Sequence, residues 1–162
     1  SNKANLQNQI DEIEAKLDET SISQKMKVFN QIFSEYCYRL YSEKYILAYN
    51  SNWSAEKKFP VTAESFGGNV GTGKKKALIV AFDLAYMKFA EEMKITVPKF
   101  VIHDKLENTH INQLKTIFEI CQNINGQYIL PILRERIQEI EEYLVAESVV
   151  LELSENDKFF KV

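Results

Sequence analysis

Apolar positions in the first forty residues recur with helical spacing. Leu6, Ile10, Ile13 and Leu17 are separated by four, three and four residues with charged side chains between them, the seam of a short coiled coil. The seam falters at Asp18-Glu-Thr-Ser21. Helical spacing resumes with Met26, Phe29, Ile32, Phe33, Tyr36, Cys37 and Leu40, so a second helix, or the same one continued, is expected to enter a globular body and run to about residue 42. Tyr45 to Tyr49 and Phe59 to Thr62 then read as two short strands of a hairpin, separated by a polar turn around Asn50-Ser-Asn-Trp53. Lys74 to Met93 is so rich in Ala, Leu, Ile, Val, Met and Phe that a helix there must be buried on much of its circumference, with Pro98 as its far limit.

The second half alternates between element types. Phe100-Val-Ile-His103 is a compact β-run ending in Asp104, Ile111 to Cys121 returns to helical spacing, and Tyr128-Ile-Leu-Pro-Ile132 follows the turn signal Asn125-Gly126. Strand, helix, strand is the pattern of a parallel crossover. Arg134 to Leu144 predicts a further helix, dense in Glu and Arg, and Ser148 to Leu153 with Lys158 to Val162 predicts a closing hairpin. The fold class expected is α/β, a mostly parallel sheet with flanking helices and an N-terminal helical stalk. No internal repeat or low-complexity segment interrupts it.

Composition narrows the class of protein. The 162 residues are 45% apolar and 27% charged with a net charge of -3, the profile of an ordinary soluble domain with enough apolar side chains for a core. The longest apolar stretch, Ala77 to Phe82, is broken by Asp83, well short of the roughly 18 residues that a membrane span needs. Cys37 and Cys121 are far apart and accompanied only by His103 and His110, which excludes a disulfide framework and makes structural zinc improbable. A reducing, cytoplasmic setting is the expectation, with no membrane partner. The acidic balance argues against wholesale polyanion binding, though a local basic patch leaves DNA as a possible partner. Ser1-Asn2 reads as a cloning remnant, and nothing beside it has the pattern of a signal peptide.

Candidate chemistry gathers at two places. Four of the five glycines, Gly67, Gly68, Gly71 and Gly73, fall within seven residues, and Gly68 to Lys74 satisfies GxxxxGK. Lys75 stands where a phosphate-binding P-loop has the Ser or Thr that ligates magnesium, and an ammonium cannot replace that hydroxyl. The loop still favours anions: glycine-rich backbone amides and Lys74, Lys75 and Lys76 stand at a helix N-terminus, where the dipole disfavours uncompensated cations. The alternative is a loop with solvated lysines. The second place is Asp104, at the carboxyl end of an apolar strand, where nucleotide-binding sheets hold magnesium through water; a turn-capping aspartate is the alternative. His103, Lys105, Glu107 and His110 lie close by in sequence and are candidates for catalysis; two histidines seven residues apart with one carboxylate read alternatively as ordinary loop residues. Asp83, among apolar neighbours in mid-helix, needs a partner and reads as half of a structural pair with a lysine. Trp53, Phe59, Phe66, Phe159 and Phe160 read as core or interface.

Taken in order, these pieces resemble the second half of an ATP-binding-cassette head of the SMC, RecN and RecF kind, and more narrowly the C-terminal domain of an uncharacterised bacterial family of SMC-like ATPases. The resemblance is carried by Ser65-Phe-Gly-Gly-Asn69, Ala81-Phe-Asp-Leu-Ala85, Pro98-Lys-Phe-Val-Ile-His-Asp104, Gln127-Tyr-Ile-Leu130 and the tail Val150-Leu-Glu-Leu-Ser-Glu-Asn-Asp-Lys-Phe159. It covers roughly residues 24–162 as one lobe, with residues 1–23 as the root of a coiled-coil arm. It implies that Gly67, Gly68 and Asn69, extended by Gly71, Thr72, Gly73 and Lys74, form a signature loop presenting amides to the γ-phosphate of ATP held by the opposite subunit. It also implies that Asp104 is the Walker B aspartate binding magnesium through water, that ATP and Mg are the cofactors, and that the partner is an N-terminal P-loop half in a homodimer. DNA repair, chromosome maintenance or defence against foreign DNA would be the setting.

The sequence departs from that pattern at three positions. Phe66 occupies the place of the signature serine, Lys105 stands where a general-base glutamate follows the aspartate, and Leu133 lies near the expected switch histidine. Glu107 is the nearest substitute base. Two other readings stay open: a non-catalytic coiled-coil scaffold with relic nucleotide elements, and a stand-alone P-loop protein using Lys74.

Overall fold

The computed structural model describes residues 2–50, 52–56, 60–65, 72–103, 106, 109–140, 142–146 and 148–154. The chain forms two compact units, Ser1–Pro98 and Lys99–Val162. Among the described residues no helix is long and apolar enough to cross a membrane.

The first unit opens with one continuous helix, α1 (Asn2–Tyr41), so the faltering seam at Asp18 to Ser21 does not break it. None of those four residues is Gly or Pro, and backbone hydrogen bonding continues where the apolar stripe lapses. Leu6, 59% exposed, and Ile10 lie on the seam without a covering layer among the described residues. Farther along, Phe29, Ile32, Phe33, Tyr36, Cys37 and Leu40 are all buried, the i, i+3, i+4, i+7, i+8, i+11 stripe that the spacing predicts. Ser42, in the left-handed region at φ 57°, ends the helix, and its N–H donates to the Tyr38 carbonyl at 2.8 Å.

The expected hairpin forms from β1 (Tyr45–Tyr49) and β2 (Val61–Ser65), paired antiparallel with Leu47 opposite Ala63. β2 begins at Val61; Phe59, the expected start of the strand, lies outside the described residues, and Pro60, which has no N–H to give to a ladder, accepts at its carbonyl from Asn50 N–H at 2.9 Å. The connection holds a single helical turn, α2 (Trp53–Glu56), started by Asn50, whose Oδ1 accepts from Asn52 N–H at 2.9 Å.

The outer edge of β1 is closed by side chains of α1. Asn30 Nδ2 donates to the Leu47 carbonyl at 2.8 Å while Asn30 Oδ1 accepts from Leu47 N–H at 2.7 Å, so one carboxamide stands in for a neighbouring strand. Two helical turns on, Cys37 accepts from the Tyr45 backbone. Asn30→Ala would leave both Leu47 groups unpartnered and is expected to destabilise this unit by about 2 kcal/mol, read as a lower urea midpoint at unchanged slope.

Helix α3 (Thr72–Glu92) packs along α1. Leu78, Val80, Ala81, Leu84, Ala85, Met87 and Ala90 are buried, so burial does extend around much of the helix, while Ile79, Phe82 and Tyr86 form an exposed stripe. Phe29, at the centre of an aromatic cluster, lies 5.8, 5.4 and 5.7 Å from the rings of Phe33, Phe82 and Phe89. The helix ends well before Pro98. Ile95 N–H donates to the Ala90 carbonyl and Lys94 N–H to the Glu91 carbonyl, a Schellman closure with Lys94 at φ 53° where glycine is usual. Asp83 is partly buried rather than enclosed, and it does not lack a partner.

In the second unit β3 (Phe100–Ile102), α4 (Ile111–Cys121) and β4 (Gln127–Ile129) form a strand, helix, strand arrangement with the strands parallel and Val101 opposite Tyr128. The predicted helix over Arg134 to Leu144 is instead two single turns, α5 (Arg134–Ile137) and α6 (Glu142–Val145). Between them Ile140 N–H reaches back only three residues to Ile137. Glu135 and Glu139 would repel at i, i+4 in a continuous helix, and Ile140 between the two turns is buried together with Leu144 and Val145 of α6. That core also takes Leu106, Leu114, Ile117, Ile120 and Ile124. The expected strand over 148–153 is not formed: Val149, Val150 (91% exposed), Leu151 and Leu153 have β-propensity but no ladder, and only Ser154 makes an isolated bridge. Its expected partner, 158–162, lies outside the described residues.

Candidate functional site

The glycine loop and the strand-end aspartate fall in different units. Of the residues expected at the phosphate site, Gly67, Gly68, Asn69 and Gly71 lie outside the described residues, as does Phe66. Thr72, Gly73 and Lys74 are described as backbone, and they already belong to α3, which starts two residues earlier than the apolar pattern predicts. Lys74, Lys75 and Lys76 are thus in the first turns of a 21-residue helix, where backbone N–H groups lack intrahelical acceptors. The strand before the loop, β2, is antiparallel to β1 and largely exposed. A P-loop follows a buried parallel strand, so this context weighs against the stand-alone P-loop reading.

In the second unit β3 runs to Ile102, and His103 N–H prolongs its ladder by donating to the Ile129 carbonyl at 2.9 Å. The next residue is Asp104, so the strand's carboxyl end leads directly to it; Asp104, Lys105 and Glu107 themselves lie outside the described residues. The His103 ring stacks on Tyr128 of the paired strand at 5.7 Å and 25° between planes. Leu106 is buried and accepts from Thr109 N–H at 2.9 Å, which turns the chain towards α4.

His110, a candidate catalytic residue in the sequence, is the N-cap of α4. Its Nδ1 accepts from Asn112 N–H at 3.4 Å and its own N–H donates to Gln113 Oε1 at 3.2 Å, a reciprocal capping box with histidine in the place of Ser or Thr. Among the described residues no three His, Cys, Asp or Glu side chains gather where a metal ion could be held. Burial pushes the Cys37 thiol up to about 12, against the opposing pull of the Tyr45 backbone bond, and burial alone does the same for Cys121. Burial thus disfavours the thiolate form at both positions.

Sequence reasoning did not single out Arg136. It lies on α5, a short way beyond β4, and its Nη2 donates to the Thr109 carbonyl in the turn before α4. Its Nε is buried without an acceptor among the described residues. An arginine in a stretch dense in Glu and Arg reads as a solvated helix face, so no local signal marked it.

A groove of about 670 Å³ in the first unit lies between α1 and β1, lined by residues that include Lys27, Gln31, Glu35 and Lys44. Its charges are mixed and the side chains at its edge serve β1, so it has the character of a solvated cleft between a helix and a strand.

No curated protein and no solved structure matches the chain. Residues 36–162, from the last turns of α1 through both units, match a family model described as an uncharacterised protein conserved in bacteria (DUF2326), and the chain belongs to that bacterial family.

Proposed function

We propose that this chain is the C-terminal lobe of an SMC- or RecN-like ATPase head, cytoplasmic, acting in DNA repair, chromosome maintenance or defence against foreign DNA. Its glycine loop, Gly67 to Lys74, serves as the signature loop for ATP held by an opposing subunit, and Asp104 binds magnesium through water. The observation that carries this reading is the β3–β4 pair. Two parallel strands of three residues are too small to stand alone, and parallel sheets are normally covered on both faces. Here Phe100, Ile102 (65% exposed) and Ile129 project from one face, and no third strand joins the pair among the described residues. Such a fragment has the properties of a partial sheet that a second lobe completes, with Asp104 at its carboxyl edge, where α/β sheets place their ligands.

The order of elements supports the same reading: a long helical stalk, a hairpin, a buried helix that follows the glycine-rich sequence, then a strand that Asp104 follows in the sequence. The test is to mix this chain with the P-loop half under Mg-ATP and follow mass by light scattering. A stable complex that doubles in mass with Mg-ATP is expected; no association with or without nucleotide rejects the reading.

A second reading, a non-catalytic coiled-coil scaffold, is favoured by the exposed seam residues Leu6 and Ile10 together with Phe66 and Lys105 at positions where the resemblance expects serine and glutamate. Under that reading the complex forms equally well without nucleotide.

A further inference from the structure

The structure assigns to Arg136 a positioning role: its guanidinium, on the first turn that follows β4, holds Thr109 ahead of α4, a side-chain link beyond the ladder that already joins the carboxyl ends of the two parallel strands. This inference rests on the ATPase-lobe reading for its functional meaning, but its structural content does not depend on it.

The turn before α4 is already held locally. Leu106 is anchored in the core, Thr109 N–H closes on the Leu106 carbonyl, and the His110–Gln113 capping box fixes the start of α4. All three contacts belong to the segment itself. Arg136 is different: it lies 27 residues away and reaches the Thr109 carbonyl from α5. No carboxylate meets the guanidinium among the described residues, although its Nε is buried. Arg136 as a whole is only partly buried, but its buried Nε has no acceptor among the described residues, so one carbonyl contact returns little stability. What the contact does supply is a rigid link, because the planar guanidinium holds its donors in fixed directions. The segment so linked is the one that follows Asp104, and the segment it is linked to contains Leu133, the position nearest the expected switch residue.

The test uses amide hydrogen exchange on this chain and ATP turnover on its complex with the P-loop half. Arg136→Gln is expected to speed exchange at Thr109, His110 and Asn112 by about tenfold through local opening, while Leu114 to Ile120 stay protected. Arg136→Lys, which keeps the charge and one donor, is expected to recover part of that protection, and it carries the measurement if the glutamine variant does not fold. In the complex, Arg136→Gln is expected to lower kcat about tenfold with KM for ATP within about twofold, as misplacement of a catalytic turn does. Unchanged exchange at Thr109 to Asn112 overturns the link. Faster exchange throughout the unit, equal in both variants, also overturns it, because that pattern is loss of packing. Faster local exchange with unaltered kcat overturns the catalytic meaning. If the complex with the unaltered chain hydrolyses no ATP, the ATPase reading fails while the exchange result still decides the link.

Discussion

Phe33→Ala is expected to lower the unfolding free energy of the first unit by about 4 kcal/mol, the range for truncating a buried aromatic. Phe33 is 1% exposed on the buried stripe of α1, and its ring lies 5.8 Å from Phe29 and 6.4 Å from Phe82. Removing it opens a cavity along the line where α1 packs on α3, and neither helix can close it without disturbing the cluster around Phe29. Phe82→Ala is the control. Its ring joins the same cluster but is 40% exposed, so water already reaches the site and the loss is expected to be about 1 to 2 kcal/mol. Urea unfolding followed by circular dichroism should show the larger midpoint shift for Phe33→Ala at similar slopes. Equal shifts for the two variants would mean that α1 and α3 are not held together by this cluster.

Under the ATPase-lobe reading, Asp104→Asn in the complex of this chain with a P-loop half is expected to reduce ATP turnover by about 100-fold or more, because a water-mediated magnesium site would lose its anionic acceptor. Nucleotide binding should weaken far less, since in this reading the other lobe cradles the phosphates. Glu107→Gln separates the roles: a fall in kcat at an unchanged magnesium requirement assigns Glu107 as the base, whereas a raised magnesium requirement places it with Asp104. Normal turnover in both variants would place the chemistry on other residues, whereas absence of turnover in the unaltered complex would favour the non-catalytic scaffold.

The candidate site was only partly legible in the sequence. The glycine cluster and Asp104 stand out because unusual residue types fall at element boundaries, and α3 and β3 do begin and end beside them. His110 was visible as a candidate but not as what it is, since a histidine N-cap is recognised only when Nδ1 is seen to face the Asn112 amide. Arg136 was invisible because its partner is a backbone carbonyl 27 residues distant, and carbonyls leave no mark in a sequence.

The same division runs through the whole chain. By itself the sequence determined that the entry is helical and which face of it is buried, though not that it is one continuous helix, together with the hairpin of β1 and β2, the buried α3, and the parallel crossover through α4. Each is written in periodicity and turn residues that act over a few neighbouring positions. Tertiary structure alone decided that α3 stops at a left-handed Lys94, that the chain breaks between α5 and α6 to bring Ile140 inward, and that residues 148–153 remain without a ladder despite their β-propensity. It also decided that Asn30 and Cys37 on α1 serve the free edge of β1. The reason is common to all of them: a hydrogen bond or core position shared between distant segments depends on which groups meet in space, and local residue patterns carry no record of that meeting.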